Sequence, residues 1–155
     1  MKYISTRSKE KEYNFGEVFL KGLADDGGLY VPKSLKKYST EELLELKHLN
    51  YNELSTEIIN LFSADFISRE ELSSLINKSY STFREKEVVK LSNVGEIKLL
   101  ELFHGPTLAF KDVAMQFIGN LYEYYLSKND KKINIVVATS GDTGAAAIDA
   151  IKGKS

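Results

Sequence analysis

A chain of 155 residues has room for one ordinary domain and not for two of full size. Its 21 Lys+Arg against 22 Asp+Glu leave a formal net charge of -1, without the excess that marks nucleic-acid or anionic-membrane binding. The absence of Cys excludes disulfide scaffolds, thiolate nucleophiles and cysteine zinc sites, and His48 and His104 alone do not make a metal site. With 43% hydrophobic residues the composition is that of a folded chain. Its apolar runs fall far short of the ~20 residues of a membrane helix. The start, Met1-Lys2-Tyr3-Ile4-Ser5-Thr6-Arg7, lacks the apolar core of a signal peptide. A soluble, cytoplasmic protein is expected, with no metal and no nucleic-acid or membrane partner.

In chain order, Asn14 can cap a helix whose Phe15, Val18, Phe19 and Leu23 share a face, with Gly22 near its end. Asp26-Gly27-Gly28 is a turn, and Leu29-Tyr30-Val31 before Pro32 reads as a short extended run. Capping boxes at Ser39/Glu42 and Ser68/Glu71 open helices through about Leu46 and Tyr80, and Asn50/Glu53 offers the same device between them. From Val88 the pattern changes. Val88–Leu91 and Ile97–Leu102 read as strands, about Phe110–Ser127 as a helix, Ile133–Ala138 as a buried strand and about Asp142–Ile151 as a final helix. Strand, helix, strand, helix at this spacing predicts a right-handed parallel unit. The expected class is α/β: a helical N-terminal domain, residues 1–87, then the first β/α units of a parallel-sheet domain, residues 88–155. One such unit cannot cover a parallel sheet, so the sequence reads as the N-terminal part of a longer protein. A naturally complete α+β domain is the other possibility. A strand left at a sheet edge is a template for association, so self-association through an incomplete sheet is expected.

Two segments carry candidate chemistry. In His104-Gly105-Pro106-Thr107-Leu108-Ala109-Phe110-Lys111-Asp112 a turn delivers Lys111 to the start of a helix, where the positive end of the dipole favours a neutral, nucleophilic amine. A solvated surface Lys111, paired with Asp112 or another carboxylate, is the plainer reading. In Thr139-Ser140-Gly141-Asp142-Thr143-Gly144 small residues follow a strand directly and open a helix, a place where α/β sheets bind anions. Ordinary capping by Asp142 or Thr143 explains that segment equally well. The segment is neither a Walker A loop nor a dinucleotide G-x-G-x-x-G, and Ser140 lacks a hydrolase elbow. Successive strands of one parallel unit would put both segments at one sheet edge. An amine nucleophile beside an anion-binding loop is the equipment of a pyridoxal 5′-phosphate (PLP) enzyme.

These residues resemble the threonine synthase family. Phe103-His104-Gly105-Pro106-Thr107-Leu108-Ala109-Phe110-Lys111-Asp112 is similar to the segment carrying its PLP lysine, and Ala138 to Ala146 to its substrate loop. Ser5-Thr6-Arg7 and Gly22-Leu23-Ala24-Asp25-Asp26-Gly27-Gly28-Leu29-Tyr30-Val31-Pro32 are similar to its N-terminal domain. The resemblance implies a fold-type II PLP enzyme that converts O-phospho-L-homoserine and water to L-threonine and phosphate. Lys111 would hold PLP as the internal aldimine and move protons at the substrate's Cα and neighbouring carbons. Phe110 and Asp142 would lie on the cofactor side, with Phe110 equally readable as core. Ser140, Gly141, Thr143 and Gly144 would bind substrate. Family members are considerably longer, and their Gly-rich phosphate loop lies outside this sequence, so the 155 residues alone are expected to be inactive. A serine/threonine dehydratase or cysteine synthase type would share the Lys and the loop, although Asp-Gly-Gly-Leu-Tyr-Val-Pro argues against it. A non-catalytic interaction module is the remaining alternative.

Overall fold

Reciprocal capping boxes begin three helices of the N-terminal half, as their i,i+3 patterns require. The computed structural model describes residues 1–154. Tyr3–Ser5 forms strand β1, which sequence patterning did not foresee because three residues carry no readable alternation. Asn14 accepts from the Glu17 amide at 2.9 Å while the Glu17 carboxylate accepts from the Asn14 amide at 2.8 Å, opening α1 (Phe15–Lys21). β2 (Tyr30–Pro32) pairs antiparallel with β1, Ile4 opposite Val31. The same capping exchange at Ser39/Glu42 opens α2 (Thr40–Leu46), and at Asn50/Glu53 opens α3 (Tyr51–Ser63). Ser68 Oγ accepts from the Glu71 amide at 3.2 Å ahead of α4 (Arg69–Tyr80).

The chain divides inside α4 into two compact units, Met1–Ser73 and a second from Ser74 onward. In the first, the strand pair and α1 are joined by aromatic contacts among Tyr3, Phe15, Phe19 and Phe66. The buried Tyr3 hydroxyl donates to the Phe62 carbonyl at 2.9 Å. Ser5 and Asp26 are bonded at 2.7 Å, so the Ser5-Thr6-Arg7 and Asp26-Gly27-Gly28 segments meet as one structural feature.

In the second unit β3 (Lys90–Val94) and β4 (Ile97–Glu101) form an antiparallel hairpin around Gly95-Glu96. α5 (Asp112–Asn129) and α6 (Asp142–Ile151) pack against each other. A Cβ on Gly119 of α5 would lie 2.6 Å from the Ala150 carbonyl oxygen of α6, so only glycine permits this approach. Leu121, Ala146, Ala147 and Ala150 are buried.

The α/β character of the expected fold is observed, as six helices with two small sheets among the described residues. The parallel unit is not. β4 pairs only with β3, and Ile133–Ala138 joins no ladder among the described residues. Val136 is 92% exposed. A β-branched run becomes a strand only when neighbouring strands accept from its N–H groups and donate to its C=O groups, and no described strand flanks this one. α5 also starts two residues later than expected, at Asp112, because Gly105 to Lys111 is occupied by tight turns. No described helix is long and apolar enough to cross a membrane.

Candidate active site

The turn that presents Lys111 is built from its own side chains. After β4, the His104 carbonyl accepts from the Arg84 amide at 2.9 Å, and the His104 ring Nε2 lies 2.8 Å from Glu101 Oε2. The Ser92 hydroxyl and then the His104 imidazole hold the Glu101 carboxyl below its ordinary range. Leu108 then takes a left-handed conformation, φ 64°, which is uncommon for a branched side chain. Asp112 is 0% exposed. Its Oδ2 accepts from the Thr107 amide at 2.8 Å and its Oδ1 from the Thr107 hydroxyl at 2.7 Å. Gly105 lies flush against this carboxylate: a Cβ there would overlap Asp112 and sit 2.5 Å from Oδ2.

Lys111 occupies the position before α5, and its carbonyl accepts from the Ala114 and Met115 amides. Its Nζ stands over the exposed Phe110 ring, 4.8 Å from the centroid. No carboxylate is within ion-pairing distance of that amine among the described residues, so the pairing with Asp112 open to the sequence is not made. Asp112 is committed to Thr107 instead.

At α6 the side-chain capping open to Asp142 or Thr143 is also not made. Gly141 is the N-cap, and no side chain caps the helix from that position. Thr139 Oγ1 stands in from outside, accepting from the Gly141 and Gly144 amides at 3.1 Å each. Ser140, Gly141 and Asp142 are exposed, Thr143 is half-buried and Gly144 is buried. The Asp142 and Thr143 amides donate to no described residue, which leaves two free N–H groups at a helix N-terminus.

The two segments share one end of the helix pair. Gln116 donates to Asp149 at 2.7 Å, Gly119 meets Ala150, and Lys154 donates to Asn120 at 2.6 Å. Partner numbers rise together, so α5 and α6 run parallel. At ~1.5 Å per residue, Lys111 and Gly144 each lie ~7.5 Å before the Gln116–Asp149 bond and are level along the pair. Lys111, Phe110, Ser140, Gly141, Asp142, Thr143 and Gly144 are thus at the same end, brought there by helix packing and not by a sheet edge. Among the described residues no group of three His, Asp or Glu is placed to hold a metal ion.

Sequence reasoning passed over Thr107, Asp112 and Thr139 as structural parts of these turns. Thr139 had a signal, a hydroxyl residue just ahead of a helix without a capping side chain. Asp112 had none, because its i,i+5 bonds to Thr107 depend on the conformation of Leu108.

The family description "Threonine synthase N terminus" matches residues 2–80. The chain is 43% identical over 162 residues to a threonine synthase of Schizosaccharomyces pombe, which covers 98% of this chain and 32% of that one. A crystal structure of PLP-bound threonine synthase from Brucella melitensis superposes with a TM-score of 0.94 at 40% identity, covering 100% of this chain and 34% of the other. A crystal structure of threonine synthase from yeast gives 0.93 at 42% identity, with 99% and 33% covered. The chain spans about a third of the length of the curated relatives it matches.

Proposed function

The chain belongs to the threonine synthase family, and from that membership we propose that the full-length protein converts O-phospho-L-homoserine and water to L-threonine and phosphate with PLP. It is then a carbon–oxygen lyase acting on a phosphate ester, at work in the cytoplasm. Residues 1–87 are its N-terminal domain, and 88–155 begin the cofactor-binding domain.

The residues fit that cofactor by the chemistry of their donors. An amine with no carboxylate partner rests on an aromatic face, and an open helix N-terminus with two free N–H groups lies at the same end of the α5–α6 pair. That juxtaposition carries the reading. When bound, PLP supplies an electron sink for bond cleavage at the substrate's Cα. Lys111 holds the cofactor through its Nζ and moves the proton at the substrate's Cα. Phe110 lines the cofactor side beside the amine, and Asp142 contributes there from the α6 end. Ser140, Gly141, Thr143 and Gly144 form the substrate side at the positive end of α6, where the Thr143 amide can donate to the substrate carboxylate while the Gly141 and Gly144 amides stay on Thr139.

Borohydride fixation followed by peptide mass mapping should place a pyridoxyl label on Lys111 of the full-length protein. Lys111→Ala should lose both that label and threonine formation; near-normal turnover in that variant would end the assignment. The 155 residues by themselves should release no steady phosphate from O-phospho-L-homoserine. They should also self-associate through the unpaired 133–138 run, with a sedimentation coefficient that rises with concentration.

A further inference from the structure

Asp112 is a carboxylate with no exposed surface and no cation within ion-pairing distance among the described residues. A buried charge in that situation must be held by hydrogen bonds and dipoles. Both of its oxygens are taken by one residue, the Thr107 amide at 2.8 Å and the Thr107 hydroxyl at 2.7 Å, and it lies in the first turn of α5, where the helix dipole favours an anion. The two bonds close a loop of which Lys111 is the last member before the carboxylate. Within that loop Leu108 is held at φ 64°, a conformation a leucine keeps only when its surroundings impose it. Gly105 forms the floor, because any side chain there would strike the carboxylate. Lys111, by contrast, makes no side-chain hydrogen bond or ion pair among the described residues and stands in a cation–π contact with Phe110.

We infer that the Thr107–Asp112 clasp is the positioning device for Lys111: it fixes the backbone from which the amine projects, so the amine needs no partner of its own and stays available. Thr107 and Asp112 are positioning residues for the reaction, and neither is expected to touch substrate. The inference rests on the proposed role of Lys111 as the cofactor lysine. A lysine displaced by about 1 Å loses rate on the order of 10²-fold, since the reacting geometry tolerates little error. Chemistry also dictates which replacement succeeds. An asparagine at 112 can accept from the Thr107 amide through Oδ1 and donate through Nδ2 to the hydroxyl, which then turns to accept. The clasp survives without its charge.

The test uses the full-length protein and three variants, Thr107→Val, Asp112→Ala and Asp112→Asn. Thr107→Val keeps shape and loses one bond, so it addresses the clasp even if Asp112→Ala fails to fold. Two quantities are read: the rate at which borohydride-fixed pyridoxyl label appears on Lys111, and kcat separately from KM. Thr107→Val should slow labelling and lower kcat by about 10-fold or more with KM changed little, Asp112→Ala more so, and Asp112→Asn should restore most of both. A residue that only stabilised the fold would shift the melting temperature and leave labelling rate and kcat unchanged. If wild-type Lys111 labels normally and both Thr107→Val and Asp112→Asn match it in rate and kcat, or if Asp112→Asn is as impaired as Asp112→Ala, the clasp does not position the lysine. A wild-type protein that takes no label at Lys111 would instead remove the assignment of that lysine as the cofactor site.

Discussion

The two turns that open α5 and α6 serve the same end of one helix pair and are made in opposite ways. Before α5, the segment from Gly105 to Asp112 bonds to itself: a buried carboxylate takes two donors from Thr107, and a glycine is pressed beneath it. Before α6, the segment from Thr139 to Gly144 is held by the Thr139 hydroxyl, with Ser140, Gly141 and Asp142 exposed and two amides without an acceptor among the described residues. The first turn is finished as a structure and frees a side chain, Lys111. The second is unfinished and leaves backbone donors for something else to complete. A site that must hold one group rigidly and receive another benefits from both kinds of turn.

The contrast can be broken most severely at Gly105. Gly105→Ala pushes a methyl into the Asp112 carboxylate and should destabilise the second unit by about 1–3 kcal/mol, seen as a lower urea midpoint, because no flexible chain end is there to yield. The other turn should respond more mildly. Thr139→Val removes the acceptor of the Gly141 and Gly144 amides and should cost about 1 kcal/mol, whereas Asp142→Ala, with no capping bond to lose, should stay within about 0.5 kcal/mol. Equal losses in the two variants would mean that Asp142 holds the turn after all. Another small effect belongs to the far end of the pair, where Glu123 meets Lys78 and Lys154. Its hydrogen bond to Lys78, opposed by partial burial and reinforced by Lys154, holds the carboxyl below its ordinary range. A lowered value means stability that is present above the ordinary glutamate pKa of about 4.3 and is lost as pH falls through the folded value. The advantage of wild type over Glu123→Gln should be under about 1 kcal/mol at neutral pH and vanish in acid, measured as the difference in urea midpoints.

The same division between local and distant determinants explains what could be read from sequence. The cap at Asn14 and the capping boxes at Ser39, Asn50 and Ser68 were legible because each is complete within four residues. Lys111 and the Ser140 to Gly144 segment were legible as candidates because turn signals and small residues mark helix starts. β1 was not, since its partner lies at Tyr30–Pro32 and three residues carry no pattern. Ile133–Ala138 forms no strand among the described residues, because apolar content specifies what a strand would bury while pairing requires neighbouring strands that sequence periodicity does not supply. The Thr107–Asp112 bonds were not legible, because they depend on the left-handed conformation of Leu108.

The Gly119–Ala150 approach bears on the accuracy with which the two turns are aligned. Where helices touch through long side chains, a rotamer change lets one slip along the other by a fraction of a turn. Here a carbonyl oxygen sits against a bare Cα, so the contact works as a machinist's datum, a hard stop without adjustable parts. Every distance between the two helix starts is measured from it. A methyl added at Gly119, far from either turn, would therefore act as a shim, tilting or sliding α6 and carrying the Ser140 to Gly144 segment out of level with Lys111.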